Sequence, residues 1–135
     1  MARRAFSGRH APGRAIVADV RVLTGGCHCG LVRFETTLDL DSVIACNCSI
    51  CSKKGLLLAF VPAERFALRA GEDQLADYQF HKKAIHHRFC TDCGVEPFAT
   101  GTAPDGAPVV AVNVRCLDEI DVAALPVRPF DGRSL

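Results

Sequence analysis

Residues 90–94 read Cys-Thr-Asp-Cys-Gly, the spacing of a zinc knuckle. In such a turn two thiolates face one metal ion, and the glycine that follows permits the positive φ of a tight reversal. Residues 27–30 read Cys-His-Cys-Gly and resemble half of a second knuckle, because side chains two positions apart on a strand point to the same side. Together these segments supply four ligands for one closed, structural zinc site: Cys27, Cys29, Cys90 and Cys93. Such a site would join segments more than sixty residues apart, and a structural zinc contributes about 10 kcal/mol or more to folding.

A second group of cysteines lies in residues 46–55, which read Cys-Asn-Cys-Ser-Ile-Cys-Ser-Lys-Lys-Gly. The thiolates of Cys46, Cys48 and Cys51 can bind one soft metal ion but leave its fourth position vacant. Three protein ligands and one open position are typical of reactive zinc sites. The alternatives are a structural zinc completed by a histidine, and a redox-reactive thiol cluster. The remaining cysteine, Cys116, is expected in the core, because free cysteine is among the most buried residue types.

The composition is that of one globular domain. The chain has 135 residues, 49% of them hydrophobic, which argues against disorder. No apolar run approaches the roughly 18 residues of a membrane span, and the N-terminal residues lack the apolar stretch of a secretory signal. Eight cysteines without such a signal favour metal ligands over disulfides. We therefore expect a cytoplasmic protein with no membrane partner.

Charge divides the chain into two regions. Residues 1–14 contain four arginines and no acidic residue. Because the whole chain has a net charge of only +1, the remaining residues are together mildly acidic. An acidic body is a poor match for nucleic acid, which binds through neutralisation of its phosphates. We therefore predict no nucleic-acid partner, a disordered basic tail over residues 1–15 and a zinc-binding domain over residues 16–135. A transit peptide or an RNA-contacting arm is the alternative for the tail.

Short segments of alternating polarity predict a mostly β protein, a single compact antiparallel β domain held together by zinc. Strands are predicted at residues 17–23, 31–36, 42–46, 56–61, 66–70, 75–80, 84–89, 97–101 and 109–114. Ser49 and Ser52 could cap a brief helical turn, and the acidic residues at its start favour one short helix at residues 118–125. Beyond this helix, Pro126, Pro129 and Gly132 are expected to interrupt regular secondary structure. Exposed strand edges would permit a homodimer.

Three motifs together resemble one protein family. Residues 26–34, 46–51 and 89–94 are similar, in the same order, to the signatures of the glutathione-dependent formaldehyde-activating (GFA) family, which includes the centromere protein V group. Residues 131–133, Asp-Gly-Arg, also resemble members of it. The resemblance implies a compact β-tent fold and two Zn²⁺ per chain, one on the four cysteines and one on the three. It also implies a carbon–sulfur lyase that makes S-hydroxymethylglutathione from glutathione and formaldehyde.

The chemistry of three thiolates leads part of the way to the same reaction. A zinc ion with three thiolates has a net charge of about −1, which makes it a weak activator of water but a suitable acceptor of a fourth thiolate. The bound substrate thiol would be deprotonated and could attack formaldehyde at carbon. We therefore assign Cys46, Cys48 and Cys51 as the catalytic centre, in the role of metal ligands.

Nearby polar residues are candidates for substrate contacts. Lys53 and Lys54 could bind the carboxylates of glutathione, or could be solvated surface lysines. His86 and His87 face opposite sides of a predicted strand, so one of them could donate a proton in the open site or supply its fourth ligand. The simpler interpretation is that each histidine is packed in the core or exposed to solvent and has no role in the site. The alternatives to an enzyme are a non-catalytic, zinc-stabilised interaction module and a thiol redox sensor.

Overall fold

The computed structural model describes residues 20–135, which form two β-sheets with short connections. The predicted basic tail over residues 1–15 and the start of the predicted first strand lie outside the described residues. The prediction of a mostly β protein is confirmed. Within the described range, no helix is long and apolar enough to cross a membrane.

The smaller sheet contains three antiparallel strands in the order β1-β2-β5. Its strands are β1 (Val20–Gly26), β2 (Arg33–Asp39) and β5 (Phe66–Ala70). Along β2 the buried and partly exposed residues alternate, because one face of the strand packs on the core and the other faces solvent.

The larger sheet contains seven strands in the order β10-β3-β4-β9-β8-β7-β6. Its strands are β3 (Val43–Cys46), β4 (Leu58–Pro62), β6 (Leu75–Tyr78), β7 (His86–Cys90), β8 (Phe98–Thr102), β9 (Pro108–Asn113) and β10 (Val127–Phe130). All neighbours are antiparallel except β10, which runs parallel to β3. The short helix α1 (Ser49–Lys54) connects β3 to β4.

The hydrophobic core lies between the two sheets. A row of three aromatic rings crosses it, with Phe66 5.1 Å from Phe34 and 4.7 Å from Phe98, measured between ring centroids. Phe34 and Phe98 are buried, and they belong to different sheets. Contacts of this kind stabilise the packing of the sheets beyond the burial of apolar area.

Two expectations for the C-terminal part were wrong. Residues 118–125 contain only a 3-10 turn, Val122–Ala124, capped by the side chain of Asp121. Glu119 has a φ of +58°, which no continuous helix accommodates. The prolines do not abolish structure beyond this point, because Pro129 lies in the edge strand β10, where the missing N–H costs little.

Candidate metal centres and the cavity beside them

Four thiols meet where β1 and β7 end. The sulfur atoms of Cys27, Cys29, Cys90 and Cys93 all lie within 4.8 Å of one another. The Cys29 sulfur is 3.6 Å from that of Cys27 and 3.7 Å from that of Cys90. Gly94, which follows the knuckle, has a φ of +80°, as its spacing predicts. The segments at residues 27–30 and 90–94 therefore supply a complete set of four ligands for one metal ion.

The four thiols do not ionise equally: a backbone hydrogen bond from Leu31 lowers the pKa of Cys29, but burial and the neighbouring thiols raise it to about 12. Although burial alone would raise the pKa of Cys93, N–H groups of Val95 and Cys29 and the neighbouring thiols lower it to about 6. The Val32 N–H donates to the Cys27 sulfur at 3.3 Å and the Asp92 N–H to that of Cys90 at 3.4 Å. Because metals bind thiolates, this environment suits a metal centre.

Three further thiols meet at the N-terminal end of α1. Cys46 is the last residue of β3, Cys48 is the N-cap of α1 and Cys51 lies inside the helix, and their sulfur atoms all lie within 4.8 Å of one another. The expected serine cap is wrong, because Cys48 occupies the N-cap position without a capping side-chain hydrogen bond. In the described part of the chain, no histidine nitrogen or carboxylate oxygen joins this group at that distance. The group therefore offers a metal ion three ligands, as the spacing predicts.

The three thiols differ in their environments. Burial alone would raise the pKa of Cys48, but hydrogen bonds from the Cys51 N–H and from the thiols of Cys51 and Cys46 lower it. The pKa of Cys51 is raised, first by burial and then by the neighbouring thiols. Of Cys48 and Cys51, Cys48 therefore ionises more readily.

The C-terminal segment closes over Cys46. The side chain of Asn47 donates to an Asp131 carboxylate oxygen at 2.9 Å and accepts from the Arg133 N–H at 2.8 Å. These bonds hold Gly132 so close that a Cβ on it would lie 2.5 Å from the Cys46 sulfur. The glycine was not predicted as a site residue, and the only signal for it was the resemblance of residues 131–133 to the family tail.

A cavity of about 310 Å³ opens beside the three thiols. Its walls are largely apolar, and no lysine, arginine, aspartate or glutamate from the described residues lines it. The walls include Ile44, Leu58, Phe60, Phe80, Ile85 and Phe130. A group that enters is therefore held beside the thiols in largely apolar surroundings.

One histidine also lines this cavity. His87 is 5% exposed, and its Nδ1 lies 2.9 Å from the Oε2 of Glu96. The other nitrogen, Nε2, is buried and has no hydrogen-bond partner among residues 20–135. His86 faces the opposite side of β7, where its Nδ1 lies 2.8 Å from an Asp77 carboxylate oxygen in a more exposed position. Of the two histidines, only His87 reaches the thiol cavity.

Glu96 is a functional candidate that the sequence did not reveal. Its carboxylate is 2% exposed and lies between Lys54, with Nζ 2.8 Å from Oε1, and His87. A glutamate in a connection between strands carries no local signal for such a role. The ion pair forms only because the fold brings α1, β7 and the segment before β8 together.

The two predicted substrate lysines lie beside a second cavity rather than in the thiol cavity. This second cavity, of about 550 Å³, is lined by Lys53 and Lys54 and shares Ile50 and Phe80 with the first. Both lysines are exposed, and Lys54 is also bound to Glu96. Their role as substrate contacts stays a prediction.

The eighth cysteine belongs to neither group. Cys116 is partly buried, packs against the core, and burial raises its pKa to about 12. All eight cysteines are free thiols. Cys116 is therefore a suitable control position for experiments on the two groups.

Comparison with known proteins places this arrangement in one family. The sequence model described as "Glutathione-dependent formaldehyde-activating enzyme" matches residues 22–129. The chain belongs to this family. The chain is also similar to the crystal structure of a Rhodobacter sphaeroides protein, with 28% identity, a TM-score of 0.72 and coverage of 79% of this chain and 98% of that one. The family resemblance drawn from the three cysteine motifs is thus confirmed.

Proposed function

We propose that this GFA-family protein is a zinc-dependent carbon–sulfur lyase that acts on a thiol–aldehyde adduct. In the synthetic direction it would join glutathione and formaldehyde to give S-hydroxymethylglutathione, as the family description suggests. The observation that supports this proposal best is a group of three thiols that lies beside a largely apolar cavity and has no fourth donor among residues 20–135. A purely structural metal site would contain a complete set of ligands.

The donor sets fit zinc at both groups. Four thiols suit a closed structural zinc, and three thiols suit a zinc with one exchangeable position. When bound at Cys46, Cys48 and Cys51, zinc would supply the positive charge that stabilises a substrate thiolate near neutral pH. Because reduced thiols persist in a reducing compartment, we propose the cytoplasm as the place of action.

The two adjoining cavities accommodate the two parts of a thiol such as glutathione. The apolar cavity beside Cys46, Cys48 and Cys51 would hold the sulfur and the aldehyde and exclude water from them. The shared wall formed by Ile50 and Phe80 leads to the second cavity, where the exposed Lys53 can bind a carboxylate. The positive charge of Lys54 is already satisfied by Glu96, so Lys53 is the stronger candidate for this contact.

The test is the rate of formaldehyde exchange, measured by two-dimensional exchange NMR with ¹³C-formaldehyde and glutathione. The zinc-loaded protein should accelerate the interconversion of formaldehyde hydrate and S-hydroxymethylglutathione in proportion to its concentration. Cys48→Ser should abolish the acceleration, whereas Cys116→Ser, which alters a thiol outside both groups, should retain it. An exchange rate that equals the uncatalysed rate at every protein concentration would refute the proposal and favour an interaction module.

A further inference from the structure

We propose that His87 is the catalytic residue that carries the proton from the thiol sulfur of the substrate to the oxygen of the aldehyde. This inference rests on the proposed carbon–sulfur lyase function. Its basis is the position of the ring: His87 lines the thiol cavity, its Nδ1 is bound to Glu96, and its Nε2 is buried without a hydrogen-bond partner.

An unpartnered nitrogen in this position points to a missing ligand. Buried polar atoms in proteins nearly always have hydrogen-bond partners, and an exception calls for an explanation. The described residues supply no partner for the Nε2 of His87, and the side chain lines the cavity, so a group bound in the cavity is the remaining candidate. The groups that enter this cavity during the proposed reaction are a thiol and a carbonyl oxygen, and a ring nitrogen can exchange a proton with either.

The contact with Glu96 sets which ring nitrogen carries the proton. A carboxylate only accepts hydrogen bonds, so Nδ1 donates to the Oε2 of Glu96 at 2.9 Å. In the neutral ring this leaves the lone pair on Nε2. Lys54 binds the other carboxylate oxygen at 2.8 Å and thereby holds this buried group in place. Glu96 is therefore a positioning residue, and Lys54 supports it.

His87 lies outside the metal ligands in this arrangement. Its nitrogens do not lie within 4.8 Å of all three sulfur atoms of Cys46, Cys48 and Cys51. The nitrogen and sulfur ligands of one zinc must lie closer together than this, since zinc binds sulfur at about 2.3 Å and nitrogen at about 2.0 Å. The ring is thus placed to act on a group bound beside the thiols.

The proposed step conserves atoms and charge. The Nε2 of His87 takes the proton of the substrate S–H bond, and the sulfur electron pair forms the C–S bond to the carbonyl carbon. The π electrons of the C=O bond move to oxygen, which then receives the proton from Nε2. The ring returns to its starting form, and the product is the S-hydroxyalkyl thioether. The reverse sequence breaks the C–S bond.

His87→Asn is the decisive variant. The amide nitrogen of asparagine can take the place of Nδ1 and donate to Glu96, while the reactive Nε2 is removed. We expect the exchange rate to fall by about 100-fold or more, while the zinc content and the Kd for glutathione change by less than about twofold. His86→Asn is the matched control on the other side of β7, and it should leave all three quantities unchanged.

Chemical rescue separates proton transfer from a structural role. His87→Ala should lose exchange activity, and added imidazole should restore at least about a tenth of it. Imidazole should restore nothing to Cys48→Ser. As a readout independent of activity, ¹⁵N NMR of the histidine rings should show His87 protonated on Nδ1, and glutathione should shift the Nε2 resonance.

The outcomes distinguish this inference from the proposed function. Wild-type protein that does not accelerate exchange overturns the proposed function, and the inference with it. Wild-type protein that is active while His87→Asn matches His86→Asn overturns only the inference. The inference also fails if His87→Asn loses zinc or glutathione binding in step with its rate and imidazole does not rescue His87→Ala. A ring protonated on Nε2 would likewise contradict it.

Discussion

Gly132→Ala should damage the three-thiol centre from outside its ligand set. The added Cβ would lie 2.5 Å from the Cys46 sulfur, whereas ordinary contacts begin at 3.4 Å, so one of the two groups must move by roughly 0.9 Å. The C-terminal segment cannot move away without breaking hydrogen bonds. Asn47 accepts from the Arg133 N–H at 2.8 Å and its own N–H donates to the Phe130 carbonyl oxygen at 3.1 Å. We therefore expect much of the displacement to fall on Cys46.

The expected magnitude follows from the geometry of zinc sites. Zinc–ligand distances vary by only about 0.2 Å between functional sites, so a displacement of roughly 0.9 Å exceeds what a ligand tolerates. Changes next to a metal ligand typically weaken metal affinity by about 10- to 100-fold, or about 1.4 to 2.8 kcal/mol. Gly132→Ala should therefore weaken zinc binding at Cys46, Cys48 and Cys51 by this factor. The four-thiol site should be unaffected.

Competition titration with a chromophoric chelator measures both affinities in one experiment. The wild type should bind two zinc ions, and Gly132→Ala should retain one affinity and lose 10- to 100-fold in the other. Gly101→Ala is the matched control in the same cavity, since its Cβ would lie 3.7 Å from the Ile85 Cγ1, an ordinary contact. Two unchanged affinities in Gly132→Ala would refute the close approach of the C-terminal segment to Cys46.

Four further predictions test other parts of the molecule. Cys90→Ser should lower the zinc content by one ion per chain in elemental analysis and unfold the protein in circular dichroism at 25 °C, because a structural zinc on the four thiols would contribute about 10 kcal/mol or more to folding. The hydrogen bond from Arg33 lowers the pKa of the Asp118 carboxyl in the folded protein. The ionised carboxylate therefore stabilises the fold above the unfolded pKa of about 3.9, and this stabilisation is lost as the pH falls through the lower pKa of the folded state. Calorimetry should show a smaller decrease in Tm at acidic pH for Asp118→Asn than for the wild type. Lys53→Met should raise the Kd for glutathione by about two- to fivefold but leave that for 2-mercaptoethanol unchanged, as measured by calorimetric titration; equal effects on both thiols would exclude a carboxylate contact. Because the apolar cavity of about 310 Å³ far exceeds the size of formaldehyde, exchange NMR should also detect turnover of propionaldehyde adducts, and strict rejection of them would show that the cavity closes on the substrate.

The cysteine spacing predicted both thiol groups because the information is local. A C-x-x-C turn or a C-x-C strand end orients its own two sulfur atoms, and the need of zinc for four ligands then pairs residues 27–30 with residues 90–94. The other group, Cys46, Cys48 and Cys51, occupies one strand end and one helical turn, so its geometry also follows from neighbouring residues.

Other parts of the site depend on tertiary contacts and could not be predicted in this way. Glu96 acquires its role only where α1 and β7 approach it, and Gly132 only where the C-terminal segment returns to Cys46. The helix expected at residues 118–125 fails for a related reason. Asp118 binds Arg33 and Thr24 across the domain, and Glu119 adopts a positive φ beside it, so long-range hydrogen bonds outweigh the local preference for a helix.

Lys54, Glu96 and His87 form a polar chain, buried at Glu96 and His87, that connects the two cavities. The carboxylate of Glu96 satisfies both neighbours, at 2.8 Å from the lysine and 2.9 Å from the histidine. A change in Lys54 would leave a buried carboxylate with half of its partners, which is costly inside a protein. The charge of Lys54 therefore acts on the thiol cavity through His87, although the lysine itself does not line it.

The most direct test of an open metal centre is a glutathione titration of the cobalt-loaded protein, followed by absorption spectroscopy. The account predicts stronger thiolate-to-cobalt charge-transfer bands as glutathione becomes the fourth ligand beside Cys46, Cys48 and Cys51, with saturation at one equivalent per chain. Glutathione disulfide, which has no free thiol, should leave the spectrum unchanged. A spectrum that does not respond to glutathione at any concentration would contradict the claim that this centre takes a substrate thiol.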